Sequence, residues 1–161
     1  MAHVAMHARD AAIVAASDRP VTFGGARAVT IAAGAQVSSD PIALGAAAGG
    51  DVVVSLYFAG TVDVATEHFD AAQTSYVSTA GDFGAAVDLA GALTMRSWYV
   101  LTGVDVDAPA DAKAIVAVGD SLTDGRASTP DANHRWPDFL AARLNARPAG
   151  APRAVVNAGI S

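Results

Sequence analysis

Residues 114–125 have the sequence AIVAVGDSLTDG, and this stretch decides the fold of the C-terminal part of the chain. Its first five residues, Ala114–Val118, form an unbroken apolar run. Such a run is typical of a parallel strand that is covered on both faces. Gly119, Asp120 and Ser121 follow directly, so the pattern places Ser121 at the carboxyl end of the strand. In open α/β sheets, ligand and catalytic sites lie at that end.

The residues after this stretch predict a helix and a second strand. A helix is expected over Trp136–Arg147, because Pro137 suits a first helical turn and apolar side chains recur at every fourth position. Pro148 and Gly150 are expected to end it. Val155-Val156 then begins a second apolar strand. Strand, loop, helix and strand make one βαβ unit, which is normally right-handed and belongs to a larger parallel sheet.

Residues 1–107 show the pattern of β-structure. Short apolar or alternating runs recur between turn-forming residues, which favours many short strands. The expected strands are Ala11–Ala15, Val21–Phe23, Ala28–Ala32, Val52–Phe58, Thr74–Val77 and Trp98–Val104. The stretch Ala43–Ala48 is ambiguous, since alanine favours a helix and its glycine neighbours do not. The spacing of the runs predicts a sandwich or a jelly-roll.

The composition changes between these two parts of the chain. Residues 105–111, with the sequence DVDAPAD, contain a proline, small residues and carboxylates that interrupt the apolar pattern. Domain boundaries commonly have this composition. We therefore predict a β-rich N-terminal domain at 1–107 that is incomplete at its start, a linker at 108–112, and the beginning of an α/β domain at 113–161.

The overall composition excludes several classes of function. Of the 161 residues, 52% are hydrophobic and 16% are charged, which is enough apolar material for a packed core. The net charge of −6 argues against nucleic acid or an anionic membrane as the partner, because both bind clustered Lys and Arg. There is no cysteine for a disulfide or a thiolate metal site. No apolar run is long enough to span a bilayer, and Met1–Asp10 lacks the apolar segment of a signal peptide.

Ser121 is the candidate nucleophile. A serine in a tight turn at the end of a strand presents its hydroxyl to solvent, and its own N–H can donate to a developing oxyanion. Gly119 is expected to allow the sharp turn, and Gly125 to let the loop leave without a Cβ clash. Asp120 either orders the serine loop through hydrogen bonds or is an ordinary turn residue. The pattern is not the G-x-S-x-G nucleophile elbow, because Thr123 stands where that motif needs glycine.

The chain resembles the GDSL/SGNH serine hydrolases, a family of lipases and esterases. The most specific block is GDSLTDG at 119–125. The stretch RWPDFL at 135–140 is similar to the first helix of the family, and VVNAGIS at 155–161 to the approach to its second block. The stretches SDRPVTFGG at 17–25 and QTSYV at 73–77 are similar to the β-rich leader of a bacterial branch. The resemblance implies a flavodoxin-like SGNH hydrolase domain, present here as its first βαβ unit, preceded by a sandwich or jelly-roll.

The resemblance also implies roles for individual residues. Ser121 matches the nucleophile and the source of one oxyanion N–H, with Gly119, Asp120 and Asn157 as supporting residues. The second oxyanion donor of the family is a glycine that would follow Ser161. An asparagine donor and the D-x-x-H pair with the general base belong to later blocks. We therefore expect the chain to be a fragment that is inactive alone, with a missing segment or a second chain supplying the glycine, asparagine, aspartate and histidine.

The implied activity is hydrolysis of a carboxylic ester through an acyl-enzyme, without a metal or an organic cofactor. Three substrate classes remain open: a small ester, an acyl lipid or an acetylated sugar. Members of the family are often secreted, but the sequence itself leaves the location undetermined. The alternative function is a non-catalytic β module that binds carbohydrate or protein, in which the G-D-S turn is vestigial.

Other residues have simpler interpretations than a catalytic or binding role. His134 is close in sequence to the candidate nucleophile, but its position fits a solvated loop before the helix. Glu67–Asp70 offers three possible metal ligands at a spacing that matches no standard site, and an exposed loop explains them better. Asp105 and Asp107 are too few ligands for calcium. Trp98-Tyr99 either stacks on a sugar or, more simply, packs in a core.

Overall fold

The computed structural model describes residues 1–62, 66–146 and 152–160. The chain divides into two compact units, each made of two chain segments. The first unit comprises Met1–Val62 with Tyr76–Leu93, and the second comprises Asp63–Ser75 with Thr94–Ser161. This grouping concerns compactness alone, so the domain boundary expected between residues 107 and 113 stays a prediction. Residues 101–112, which include the whole of the expected linker, have neither helix nor strand.

The first unit contains a four-stranded antiparallel sheet in which one strand pairs with the other three. The central strand is β1: two of the other strands pair with its first half, and the third pairs with its second half. The four strands are β1 (Ala2–Arg9), β2 (Ala12–Ile13), β3 (Arg19–Val21) and β4 (Val52–Leu56). A 3-10 turn at Ala15–Ser17 connects β2 to β3.

The core of this unit forms on one stretch of the sheet. Ala2 and Val4 of β1 are buried with Val21 of β3. Partly buried apolar side chains pack against them, namely Phe23, Ile42, Leu44, Val52 and Val54. Val52 and Val54 lie on the same face of β4 and pack against the core, and β4 forms the first five residues of the strand predicted over Val52–Phe58.

Strand β1 was not among the predicted strands. Its sequence, AHVAMHAR, places two histidines and an arginine within the apolar positions, which hides the strand from a hydropathy pattern. The fold buries His3 because its ring has polar partners on both sides. Its Nδ1 lies 3.0 Å from both carboxylate oxygens of Asp18, and its Nε2 lies 3.0 Å from Nη2 of Arg27.

Two expected features of the N-terminal part are not formed. The predicted strand Ala28–Ala32 has no regular structure, and all five of its side chains are exposed, so there is no partner to order it. The ambiguous stretch Ala43–Ala48 is neither helix nor strand. Short alanine-rich runs bury little apolar area, so their formation depends on a neighbouring element rather than on their own propensity.

Two further short ribbons lie upstream of residue 107. Strand β5 (Glu67–His68) pairs antiparallel with β8 (Trp98–Tyr99), and β6 (Ser75–Val77) pairs with β7 (Leu93–Met95). The strand expected at Trp98–Val104 is therefore much shorter than predicted. The region upstream of residue 107 is rich in short strands, and its arrangement as a sandwich or jelly-roll stays a prediction.

The C-terminal part contains the predicted βαβ unit. Strands β9 (Lys113–Gly119) and β10 (Arg153–Gly159) pair in parallel, in a register that matches Gly119 with Gly159. Between them lie α1 (Ser121–Asp124) and α2 (Trp136–Asn145). Helix α2 begins at the predicted residue, where the backbone N–H of Arg135 donates to Oδ2 of Asp138 at 2.9 Å.

The predicted end of this helix, at residues 147–150, lies outside the described residues. Within the described part of the chain, no helix is both long and apolar enough to cross a membrane. The longest of them, α2, has ten residues.

An unbroken apolar run is typical of a strand covered on both faces, but a lone βαβ unit is expected to leave one face of β9 uncovered, and the described chain agrees with that expectation. Ala117 is buried, but Val116 and Val118 on the opposite face are 57% and 76% exposed. Val156, the parallel partner of Val116, is also exposed. Side chains alternate along a strand, so one face of this two-stranded sheet lacks a covering layer among the described residues.

Candidate active site

Ser121 lies at the carboxyl end of β9, as the sequence predicts. The strand ends at Gly119, and Ser121 is the first residue of the short helix α1. The serine is half-buried. Within residues 1–62, 66–146 and 152–160, neither its hydroxyl nor its backbone N–H makes a hydrogen bond. Both groups are therefore available to a ligand as far as the described chain is concerned.

Asp120 organises the turn that carries Ser121. Its side-chain Oδ1 accepts from the N–H of Leu122 at 3.0 Å, which makes Asp120 the N-cap of α1. Its backbone carbonyl accepts from the N–H groups of Thr123 and Asp124, both at 3.0 Å. The structure thus places Asp120 in the loop-ordering role, and any further role in catalysis stays a prediction.

The two glycines of the motif act differently from each other. Gly125 has φ +112° and donates its N–H to the carbonyl of Ser121 at 3.0 Å, so it ends α1 in a conformation that favours glycine. Gly119 has no positive φ, which departs from the expectation that it permits the sharp turn. A Cβ on Gly119 would instead lie 2.8 Å from Cβ of Thr123 and closer still to its hydroxyl. Gly119 is needed for close approach.

Strand β10 holds the same turn from its other side. Nδ2 of Asn157 donates to the carbonyl of Asp124 at 3.2 Å, and Oδ1 of Asn157 accepts from the N–H of Gly159 at 3.0 Å. The backbone of Gly159 lies against the turn so closely that a Cβ there would be 2.6 Å from Cα of Asp124. Asn157 therefore connects β10 to the serine turn, a position that agrees with a supporting role.

Asp124 is the buried end of the turn, with 5% of its surface exposed. Its Oδ1 lies 2.9 Å from Nε2 of His68, in strand β5. The ring of His68 contacts that of Trp98, with the centroids 4.4 Å apart and the planes tilted by 47°. Sequence reasoning missed this pair, because the two residues are 56 positions apart and no local pattern links them.

Further bonds join residues 66–75 to the loop that follows α1. The backbone N–H and the hydroxyl of Thr74 donate to the two carboxylate oxygens of Asp131, each at 2.6 Å. Nε2 of Gln73 donates to Oδ1 of Asn133 at 2.8 Å. We call residues 66–75 the strap. It belongs to the same compact unit as the serine turn, although it lies upstream of the predicted boundary at residue 107.

A shallow pocket of about 180 Å³ lies between the strap and the end of β10. Phe69 on its rim is 65% exposed, and Ile160 is 73% exposed. The lining therefore combines exposed apolar side chains with a carboxylate, an imidazole and backbone polar groups. The lining residues are Glu67, His68, Phe69, Gly159 and Ile160.

Of the other candidates from the sequence, His134 does not join this site, whereas His68 does. His134 is exposed, and its ring stacks on Phe139 with centroids 5.4 Å apart. His68 lies in a short strand and contacts a carboxylate, so the exposed loop expected at Glu67–Asp70 is wrong for that residue. Among the described residues, no three side chains form a possible metal site. Trp98 is half-buried, and its ring contacts that of His68.

Comparison with known proteins bears on the C-terminal part of the chain. Residues 115–161 match the family model of the GDSL-like lipases and acylhydrolases. A search of curated proteins found no match to the chain. The matched segment contains the serine turn and β10, and the match implies the SGNH hydrolase fold for it. Residues 115–161 are thus similar to the GDSL-like lipases and acylhydrolases, a family whose substrates are esters and other acyl compounds.

Proposed function

We propose that this chain carries the nucleophile of a carboxylic ester hydrolase and that Ser121 is that nucleophile. The position of Ser121 supports this function: it lies at the carboxyl end of a parallel strand, in a turn fastened on two sides, with its hydroxyl and N–H unused within the described chain. A serine held in this way is pre-organised, so little conformational freedom is lost when a substrate carbonyl approaches.

The proposed reaction proceeds through an acyl-enzyme. Oγ of Ser121 attacks the ester carbonyl, a base takes the hydroxyl proton, and the carbonyl oxygen becomes an oxyanion that the Ser121 N–H stabilises. Collapse of this intermediate transfers the proton to the leaving alcohol and forms the Ser121 ester. Water then attacks the acyl group, and the products are one carboxylic acid and one alcohol per ester consumed.

The base is proposed to come from a further segment or a second chain, together with the orienting carboxylate and the remaining oxyanion donors. Within the described residues, no histidine forms a hydrogen bond with Ser121. Removing a triad member from a serine hydrolase lowers kcat by about 10⁴–10⁶-fold, so the chain alone is expected to turn over esters at a very low rate.

The surface around the turn favours a substrate with an apolar portion. Leu122, next to the nucleophile, is 72% exposed, and the rim residues Phe69 and Ile160 are also exposed. Single exposed apolar side chains are common, but several at one turn offer a contact for an acyl or alkyl group. A small ester, an acyl lipid and an acetylated sugar all carry such a group, so all three belong in the substrate panel.

A fluorophosphonate probe tests the assignment, because it reacts covalently with an activated serine hydroxyl. Because the base is proposed to come from elsewhere, imidazole is supplied as an external base, and with it we expect mass spectrometry to find the adduct on Ser121 and to find none in Ser121→Ala. Labelling at Ser121 should be faster with imidazole than without it. Ser128→Ala is the matched control, since Ser128 is another half-buried serine shortly after the motif.

The result that contradicts the assignment is a Ser121 that stays unlabelled when imidazole is present, in a chain that is folded by circular dichroism. Binding of a glycan to such an unreactive chain would instead support the non-catalytic module. The ester panel is then measured on the chain together with the partner that supplies the base, where Ser121→Ala should abolish turnover.

A further inference from the structure

The turn that carries Ser121 is fastened at its far end, through Asp124. The backbone N–H of Asp124 donates to the carbonyl of Asp120 at 3.0 Å, and its carbonyl accepts from Asn157 at 3.2 Å. Its side chain adds the contact with His68 at 2.9 Å. The first two contacts lie within residues 113–161, while the third comes from the strap, more than fifty residues upstream. The buried carboxylate is therefore the place where the strap reaches the serine turn.

The His68 side chain is itself held in position. His68 pairs with Trp98 in the β5–β8 ribbon, and the two rings contact each other across the pair. Its side chain is about one-third exposed, whereas that of Asp124 is 4% exposed. The contact joins a ring nitrogen to a carboxylate oxygen, so Nε2 of His68 can donate a hydrogen bond to the buried group.

Asp124 and Ser121 move together because α1 is a single turn. Ser121 begins the helix, Asp124 ends it, and the N–H of Gly125 closes the turn on the Ser121 carbonyl at 3.0 Å. A shift of the Asp124 end therefore changes the position of the Ser121 end. For a nucleophile, a misplacement of about 1 Å costs about 100-fold in rate.

We propose that His68 is a positioning residue for Ser121, acting through its hydrogen bond to Asp124. The inference rests on the proposed function, and it adds that the strap contributes to the site of the hydrolase although it lies outside the residues that match the family. His68 does not touch the substrate carbonyl in this role. It fixes the position of the Ser121 turn and limits the motion of that turn.

Two substitutions of His68 separate a positioning role from other roles. In His68→Leu, the ring volume is replaced approximately and the donor is lost. In His68→Gln, the side-chain amide keeps a donor at about the reach of Nε2 but cannot serve as a general base. His134→Leu is the control, because His134 is an exposed histidine of the same unit that stacks on Phe139.

The first measurement is the rate of fluorophosphonate labelling at Ser121 in the full chain. We expect His68→Leu to slow labelling by about 10- to 100-fold, as a displaced nucleophile should. His68→Gln should restore the rate to near that of the parent chain, and His134→Leu should not change it. The inference is overturned if His68→Leu labels at the parent rate, or if His68→Gln is as slow as His68→Leu.

The second measurement is hydrogen exchange of the amides in residues 121–125, which does not depend on any reaction at Ser121. Faster exchange in His68→Leu, reversed in His68→Gln, supports the inference, and unchanged exchange in His68→Leu overturns it. If Ser121 is unreactive even in the parent chain, the proposed function fails, and the exchange data still decide whether His68 holds the turn.

Discussion

Gly159→Ala should push the serine turn away from β10. A methyl group on Gly159 would lie 2.6 Å from Cα of Asp124 and 2.7 Å from the carbonyl carbon of Thr123. Carbon atoms in contact are about 3.5–4.0 Å apart, so the two backbones must separate by about 1 Å. Gly159 has no positive φ, so the added strain is purely steric. Overpacking of this kind costs about 1–3 kcal/mol of stability.

Urea unfolding followed by Trp fluorescence measures this loss, and fluorophosphonate labelling measures the accompanying change at Ser121. We expect a lower midpoint and labelling slowed by about 100-fold, since the turn that moves carries the nucleophile. Gly103→Ala is the control, because a Cβ on Gly103 meets no atom within 4 Å and its φ is not positive. If Gly159→Ala behaves like Gly103→Ala in both assays, the close approach of β10 to the turn is not real.

Three further substitutions test the first unit and the exposed sheet face. Hydrogen bonds from the Thr22 hydroxyl and from two glycine N–H groups hold the pKa of Asp40 below its usual 3.8. The ionised Asp40 carboxylate therefore stabilises the fold fully above pH 4, and this stabilisation is lost as the pH falls through the lowered pKa. Asp40→Asn should therefore lower the urea midpoint at pH 7, with a difference from the parent chain that shrinks below pH 4; a constant difference would contradict this. His3→Leu removes the β1 side chain that bonds to Asp18, and it should lower the free energy of unfolding in urea by about 1–3 kcal/mol. An unchanged urea midpoint would show that the hydrogen bonds of His3 with Asp18 and Arg27 are not formed. Val118→Thr should change stability by less than about 0.5 kcal/mol, because Val118 is 76% exposed, and a larger loss would mean that its face is covered.

Local patterns in the sequence predict the βαβ unit well. The apolar run before the G-D-S block forms β9, and helix α2 begins at Trp136, where a proline and a first-turn aspartate favour a helix. These features depend on residues within a few positions of one another, so propensity and periodicity are enough to find them. The family match to residues 115–161 agrees with the motif for the same reason.

The β-structure upstream was predicted less well, because short strands depend on their partners. Strand β1 contains His3, whose burial requires Asp18 and Arg27 from other parts of the chain. The run Ala28–Ala32 is apolar enough for a strand, yet the fold provides it with no partner. In both cases the deciding interaction is between residues distant in sequence.

The candidate site likewise has some features that local sequence determines and others that depend on distant residues. The motif alone determines that a serine follows a strand, that Asp120 can cap the turn and that a glycine ends it, because each is a matter of neighbouring backbone geometry. Only the tertiary structure decides that Gly159 must lack a side chain and that His68 bonds to the buried Asp124. Close approach and the pairing of buried polar groups arise when distant segments pack together, and no local spacing in the sequence encodes them.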